Sequence, residues 1–204
     1  DSPDALLKHA DTAMYHAKSQ GKSRFIFFGP EMQDEANEKL ELESALSRGI
    51  MEGCVTAHFQ PLVDLVSGCM VGAEALARWT HPARGAIPPS VFIPLAEETG
   101  LIEPLGWLIL EQACGHAVRI ASSYADSGWT ISVNLSPKQF GSDVLLQQVD
   151  AILQRTGLDP SRLKLEITES LLVADEAGTI SRMRALKERG IKLALDDFGT
   201  GYSS

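Results

Sequence analysis

Asp196 and Asp197 stand side by side in Lys192-Leu-Ala-Leu-Asp-Asp-Phe-Gly-Thr-Gly-Tyr-Ser-Ser204, close to a short apolar run and a glycine-containing loop. Leu193-Ala194-Leu195 reads as a buried strand that delivers both carboxylates into that loop. Neighbouring carboxylates repel each other, so a fold that holds them together calls for a cation between or beside them. A solvated acidic turn is the plain alternative. The triplet Asp-Phe-Gly also occurs in protein kinases, but that chemistry needs a His-Arg-Asp loop upstream, and none is present.

Further oxygen-bearing side chains follow the parity of strand-like runs. In Leu163-Lys-Leu-Glu-Ile-Thr168 the apolar residues share one face and leave Glu166 and Thr168 on the other. In Ile131-Ser-Val-Asn-Leu135 the apolar set excludes Asn134. In Val71-Gly-Ala-Glu-Ala-Leu-Ala-Arg78, Glu74 and Arg78 share a face opposite Ala73, Ala75 and Ala77, and Asp196 shares the face of Ala194. Each residue has a simpler reading. Glu74 could pair with Arg78, Asn134 could cap a turn at Ser136-Pro137, and Glu166 with Glu169 could be an acidic strand end. Those readings predict no convergence, whereas a hard divalent-metal site requires carboxylate and amide oxygens brought together. His58, His81 and His116 do not fall in metal-ligand spacing.

The elements that must position these groups alternate. Strand-like runs lie near 57–63, 71–79, 130–135, 163–168 and 192–197, with helical patterns near 92–98, 104–123, 142–156 and 177–189. Gly100, Gly157 and Gly190 stand where helices should end. The alternation predicts a largely parallel α/β sheet, and oxygen donors at the carboxyl ends of its strands would sit at the mouth of a β/α barrel. Before it, a helix from Ser2-Pro3 to Gly21, a strand over Arg24–Phe28 and a charged helix over Glu31–Gly53 are expected. Met32, Ala36, Leu40 and Leu46 form the inward face of that last helix.

Composition narrows the function. The 204 residues carry 18 Lys and Arg against 27 Asp and Glu, a formal charge of −9, which argues against a nucleic-acid polymer as partner. A small phosphate ligand stays possible if metal ions supply the positive charge. Cys54, Cys69 and Cys114 are odd in number and lack Cys-x-x-Cys spacing, as expected for reduced, packing cysteines of a cytoplasmic protein. No apolar run approaches the roughly 18 residues of a membrane span.

Glu74-Ala75-Leu76, followed by Ala77-Arg78-Trp79, resembles the signature of EAL domains, the cyclic di-GMP phosphodiesterases. The resemblance extends through Phe59-Gln60-Pro61, Phe92-Ile-Pro-Leu-Ala-Glu-Glu-Thr-Gly-Leu-Ile102, Asn134-Leu-Ser136, Glu166-Ile-Thr-Glu169 and Asp196-Asp-Phe-Gly-Thr-Gly-Tyr-Ser203. It implies an incomplete TIM-like β/α barrel over 41–204. Residues 10–24 resemble the closing helix of GGDEF domains, the diguanylate cyclases. That implies a helix–strand remnant of such an α/β domain over 1–29, joined by a linker helix over 30–40.

Carried over by position, the resemblance implies that Glu74, Asn134, Glu166 and Asp196 ligate one Mg²⁺ or Mn²⁺, and that Asp196 and Asp197 hold a second. Glu169 would fix the loop after Asp197, and Gln60 and Arg78 would contact cyclic di-GMP. Glu74, Glu169, Asp196 and Asp197 are thus the expected catalytic set, with linear pGpG as product. The family's further strands, which carry a catalytic lysine and another metal-binding glutamate, lie beyond Ser204. The chain alone is therefore expected to be inactive, and its parent to be a homodimeric GGDEF–EAL signalling protein. The alternative is a non-catalytic EAL module that acts as a cyclic di-GMP receptor or protein-interaction domain.

Overall fold

The computed structural model describes residues 2–19, 25–121, 128–168 and 176–196. The chain divides into two compact units, residues 1–48 and 49–204. In the first, α1 (Pro3–Ser19) starts on proline at its first turn, where the missing N–H costs no helical hydrogen bond. His9 stacks on Phe28 with ring centroids 3.9 Å apart. The strand expected over 24–28 is not formed. Residues 25–28 have no strand pairing, Arg24 lies outside the described residues, and Phe25 and Phe27 are exposed. A β-strand needs a partner for its N–H and C=O groups, and none of the described residues supplies one.

Helix α2 (Pro30–Glu52) matches the expected charged helix. Its inward face is corrected at Leu40, which is exposed, while Leu46 is fully buried and Leu42 half-buried. A 3.6-residue period carries the buried stripe past Leu40 between Ala36 and Leu46.

The second unit is built on a sheet of order β1-β2-β4-β5-β6, with β3 beside β2. Strands β1 (Val55–Val63) and β2 (Met70–His81) form an antiparallel hairpin, and β3 (Gly85–Ile87) pairs antiparallel with β2. Strands β4 (Thr130–Asn134), β5 (Leu163–Thr168) and β6 (Lys192–Asp196) continue from β2 in parallel. The sheet is therefore mixed rather than largely parallel from its first strand. Only residues 64–69 join β1 to β2, too few for the dozen or more that a parallel crossover needs. Asp64 orders that turn, its Oδ1 accepting from Ser67 N at 2.8 Å and Val66 N at 3.2 Å. Cys69, expected to pack, is exposed in the same connection, whereas Cys114 is buried.

One face of the sheet makes the core. Leu163, Leu165 and Ile167 of β5 are at most 1% exposed, and Ile131 and Val133 of β4 at most 2%. Burying each such side chain contributes about 1.5–3 kcal/mol. Helices α3 (Pro89–Thr99) and α4 (Ile102–Ala121) cover this face, with α6 (Leu145–Thr156) packed on α4. Gly100 and Gly157 end α3 and α6 in the left-handed conformation, at φ 82° and 74°. Gln112 of α4 also closes the outer edge of β1: its Oε1 accepts from Ala57 N at 2.8 Å, and its Nε2 donates to Val55 O at 3.3 Å.

The helix expected over 142–156 forms as α6, and a short helix that was not expected, α5 (Pro137–Gly141), precedes it. Ser136 begins α5 with a capping box, its hydroxyl accepting from Gln139 N while the Gln139 side chain accepts from Ser136 N. Helix α7 (Glu176–Glu188) leads into β6.

Candidate active site

Strand alternation and register place the acid and amide groups. On β5, Lys164, Glu166 and Thr168 are half-buried on the face opposite the core. Register sets Asn134 of β4 beside Glu166, and Thr168 beside Asp196 at the end of β6. On the other flank Ser132 lies in register with Glu74, and Gln60 of β1 pairs with Glu74 across the hairpin. Sequence parity is thus realised as a row across neighbouring strands. Glu169 and Asp197 lie outside the described residues.

The groups interact. Asn134 Nδ2 donates to Glu74 Oε1 at 2.8 Å. Burial pushes the Glu166 carboxyl above the usual range; the negative charges of Glu74 and Asp196 add to the push, while Ser132 and Lys164 counter it. A carboxyl that feels two like charges more than it feels its neighbouring lysine is short of positive charge. A hard cation would supply it, and the donors present are carboxylate and amide oxygens of the kind such a cation takes. The residues fit a divalent metal in donor chemistry. Among the described residues, however, no three His, Cys, Asp or Glu side chains converge closely enough to cage an ion.

A cavity of about 330 Å³ opens beside this row, lined by Arg78, Asn134, Glu166, Thr168 and Asp196 and, on its apolar side, by Ile93 and Leu105 among others. It is the size of a small-molecule site with a few polar groups on an apolar wall. Arg78 does not pair with Glu74; its Nη1 donates to its own neighbour, Ala77 O, at 2.8 Å. Gln60 is exposed and stands at the Glu74 end of the row, outside the cavity lining. Asn134 caps no turn, since Ser136 does so itself.

Residues not singled out from the sequence complete the rim. Lys138 Nζ donates to Glu97 O, tying α5 to the end of α3. Gln139 is 1% exposed and packs on Gly106 of α4, where an added Cβ would fall 2.2 Å from its Oε1. The signal for α5 was available, because Ser136-Pro-Lys-Gln139 has the spacing of a capping box. His81 and His116 are engaged elsewhere. His116 stacks on Phe59 at 3.8 Å, and His81 Nδ1 accepts from Ala83 N and Arg84 N.

A mixed α/β domain that gathers strand-borne oxygen donors at one cavity is defined by these observations. Residues 43–204 match the EAL domain, and the chain belongs to that family. It is 42% identical over 199 residues to the bifunctional diguanylate cyclase/cyclic di-GMP phosphodiesterase MucR of Pseudomonas aeruginosa, covering 98% of this chain and 29% of that protein. It is 37% identical over 203 residues to the cyclic di-GMP phosphodiesterase PdeR of Escherichia coli, covering 98% of this chain and 30% of that protein. The chain thus spans less than a third of the length of either relative. Among solved structures, the MucR phosphodiesterase in complex with cyclic di-GMP superposes with a TM-score of 0.74 at 41% identity, over 80% of this chain and 66% of that one. No helix among the described residues is long and apolar enough to cross a membrane.

Proposed function

We propose that the protein carrying this chain hydrolyses cyclic di-GMP to linear pGpG, with Mg²⁺ or Mn²⁺ held by Glu74, Asn134, Glu166 and Asp196, and Asp197 serving a second ion. The observation that carries this reading is the row of Glu74, Asn134, Glu166 and Asp196 on one face of neighbouring strands. The relatives named for cyclic di-GMP hydrolysis lend it the substrate class. Bound divalent ions lower the pKa of water and neutralise developing charge on a phosphate. The chain's own residues do the rest. The strands fix the oxygen donors on a rigid scaffold, so little reorganisation is needed when the ligand arrives. Arg78, now turned to Ala77 O, lines the cavity and has the planar donor set that suits a phosphate oxygen. Gln60, beside Glu74, offers an amide at the open end of the row. Glu169 is assigned to hold the loop after Asp197.

In the same reading, 41–204 belongs to a TIM-like barrel completed by further chain, 30–40 is a linker helix, and 1–29 is the tail of a GGDEF domain.

A receptor without turnover is the second reading, and it is favoured by the lack, among the described residues, of three His, Cys, Asp or Glu side chains close enough to cage an ion. One experiment separates the two. The full-length protein is given cyclic di-GMP with Mg²⁺, Mn²⁺, Ca²⁺ or a strong chelator, and pGpG is followed by chromatography. Turnover with Mg²⁺ or Mn²⁺, and none with Ca²⁺ or chelator, is expected. Binding without any turnover would establish the receptor, and full turnover in chelator would sink the metal reading.

A further inference from the structure

Beneath Glu166, one step down the same face, lie two residues with no part in the proposed reaction. Lys164 is on β5 two positions before Glu166, and Ser132 is on β4 two positions before Asn134. Ser132 and Lys164 are in register with each other, as Asn134 and Glu166 are directly above them. In parallel strands, residues in register point to the same face, so the four side chains form two stacked layers. Ser132 also lies in register with Glu74 on its other side.

Both lower groups are unusual for their place. Ser132 is 0% exposed; its Oγ makes no hydrogen bond of full geometry, yet it faces Glu166 closely enough to counter the upward push on that carboxyl. A sealed hydroxyl is costly in that state and asks for a reason. Lys164 is half-buried, with Nζ 3.9 Å from Glu166 Oε1, the outer limit of an ion pair. Its in-register neighbour on β6 is Lys192, a like charge.

We propose that Ser132 and Lys164 are positioning residues that form a floor under Glu166 and set how tightly the site holds its cation. Ser132 aims the carboxylate, and Lys164 competes with the cation for it. This rests on the reading of Glu166 as a metal ligand. A hydroxyl that can donate to one carboxylate oxygen limits the rotation of the other, and outer partners of this kind typically alter metal affinity by 10- to 100-fold. An ammonium beside the same carboxylate supplies part of the charge that the metal would otherwise bring. It repels an arriving cation, and at partial exposure its effect is modest.

The two residues therefore act in opposite directions, which damage to the fold would not imitate. The test is Mn²⁺ binding to the full-length protein without nucleotide, by calorimetry and by the loss of the free-ion paramagnetic resonance signal. Ser132→Ala is expected to weaken Mn²⁺ on the order of 10-fold. Its melting temperature in chelator should fall little, because the hydroxyl removed has no hydrogen bond of full geometry to lose. Lys164→Met should tighten Mn²⁺ by about 2- to 5-fold, and Lys164→Arg, which keeps the charge, should bind as wild type does. If wild type binds Mn²⁺ but Ser132→Ala and Lys164→Met shift it in the same direction, or neither shifts it, the floor is not a tuning device. The Lys164 pair decides alone should Ser132→Ala unfold. If wild type binds no Mn²⁺, the metal reading falls and takes this inference with it.

Discussion

Asn134 Nδ2 donates to Glu74 Oε1 at 2.8 Å, joining the end of β4 to the middle of β2. The bond gives Glu74 a neutral donor where a carboxylate in its place would repel it. Asn134→Asp keeps the size and removes the donor, which brings like charges within hydrogen-bond distance and raises the pKa of one of them. In chelator this variant should be less stable than wild type by about 1–2 kcal/mol, read as a lower urea midpoint at pH 7. Saturating Mn²⁺ should recover most of the loss, because a cation satisfies both carboxylates. An equal deficit with and without Mn²⁺ would place the cation elsewhere.

Glu74 and Arg78 share a face of β2 but have different assigned roles, and kinetics can tell them apart. Glu74→Ala deletes a charge and a fixed oxygen from the row, so kcat should fall by at least about 100-fold in the full-length protein. Arg78→Ala removes a contact made before and during reaction and should mainly raise KM. Near-normal turnover of Glu74→Ala under limiting Mg²⁺ would contradict the ligand assignment.

The histidine on α4 gives a pH dependence with a defined sign. Burial, and then the positive charge of Arg119, hold the His116 ring below its usual pKa of 6.5, where it stacks on Phe59. The folded state thus binds the proton less readily than the unfolded chain. Stability from this residue is fully present above pH 6.5 and is lost as pH falls from there through the depressed folded value. Urea midpoints between pH 5 and 7.5 should rise with pH in wild type, and less steeply in His116→Phe, which keeps a ring on Phe59. Parallel profiles for the two proteins would remove His116 from the account.

Much of this site could be read from strand parity alone. Leu163, Leu165 and Ile167 alternate with Lys164, Glu166 and Thr168 in the sequence, and burial follows that alternation residue by residue. Period-2 patterns are this legible because one face of each strand is sealed by helices. Lys164 shares that polar face, but nothing in the sequence marks it out, since only register puts Ser132 next to it. The direction of β1 needed loop length rather than pattern, since residues 64–69 cannot span a parallel crossover. Phe25–Phe28 misled for the opposite reason: aromatic residues favour strands, but a strand exists only with a partner. Hydrogen bonds such as Arg78 to Ala77 O depend on side-chain rotamers, which residue type and spacing do not encode.

Gly72 sits on β2 two residues before Glu74, in register with Thr130 of β4. A Cβ placed there would lie 2.6 Å from the Thr130 carbonyl oxygen. That atom belongs to backbone in a ladder, so it cannot turn aside as a side chain would. Gly72→Ala must push β2 from β4 at the base of the row that holds Glu74, Ser132 and Asn134. It should cost about 1–3 kcal/mol of stability, and the displacement should weaken Mn²⁺ binding as well. Gly141, the last residue of α5, is the control: it has open space where the methyl would go and no left-handed backbone. Gly141→Ala should be neutral, or stabilising by about 0.4–1 kcal/mol through a less flexible unfolded chain. Both midpoints can be measured in urea with chelator present, and Mn²⁺ affinity can be measured separately on the folded proteins. Equal stability of the two variants would mean that β2 and β4 can separate at Gly72 without cost, and that the row does not depend on their close approach.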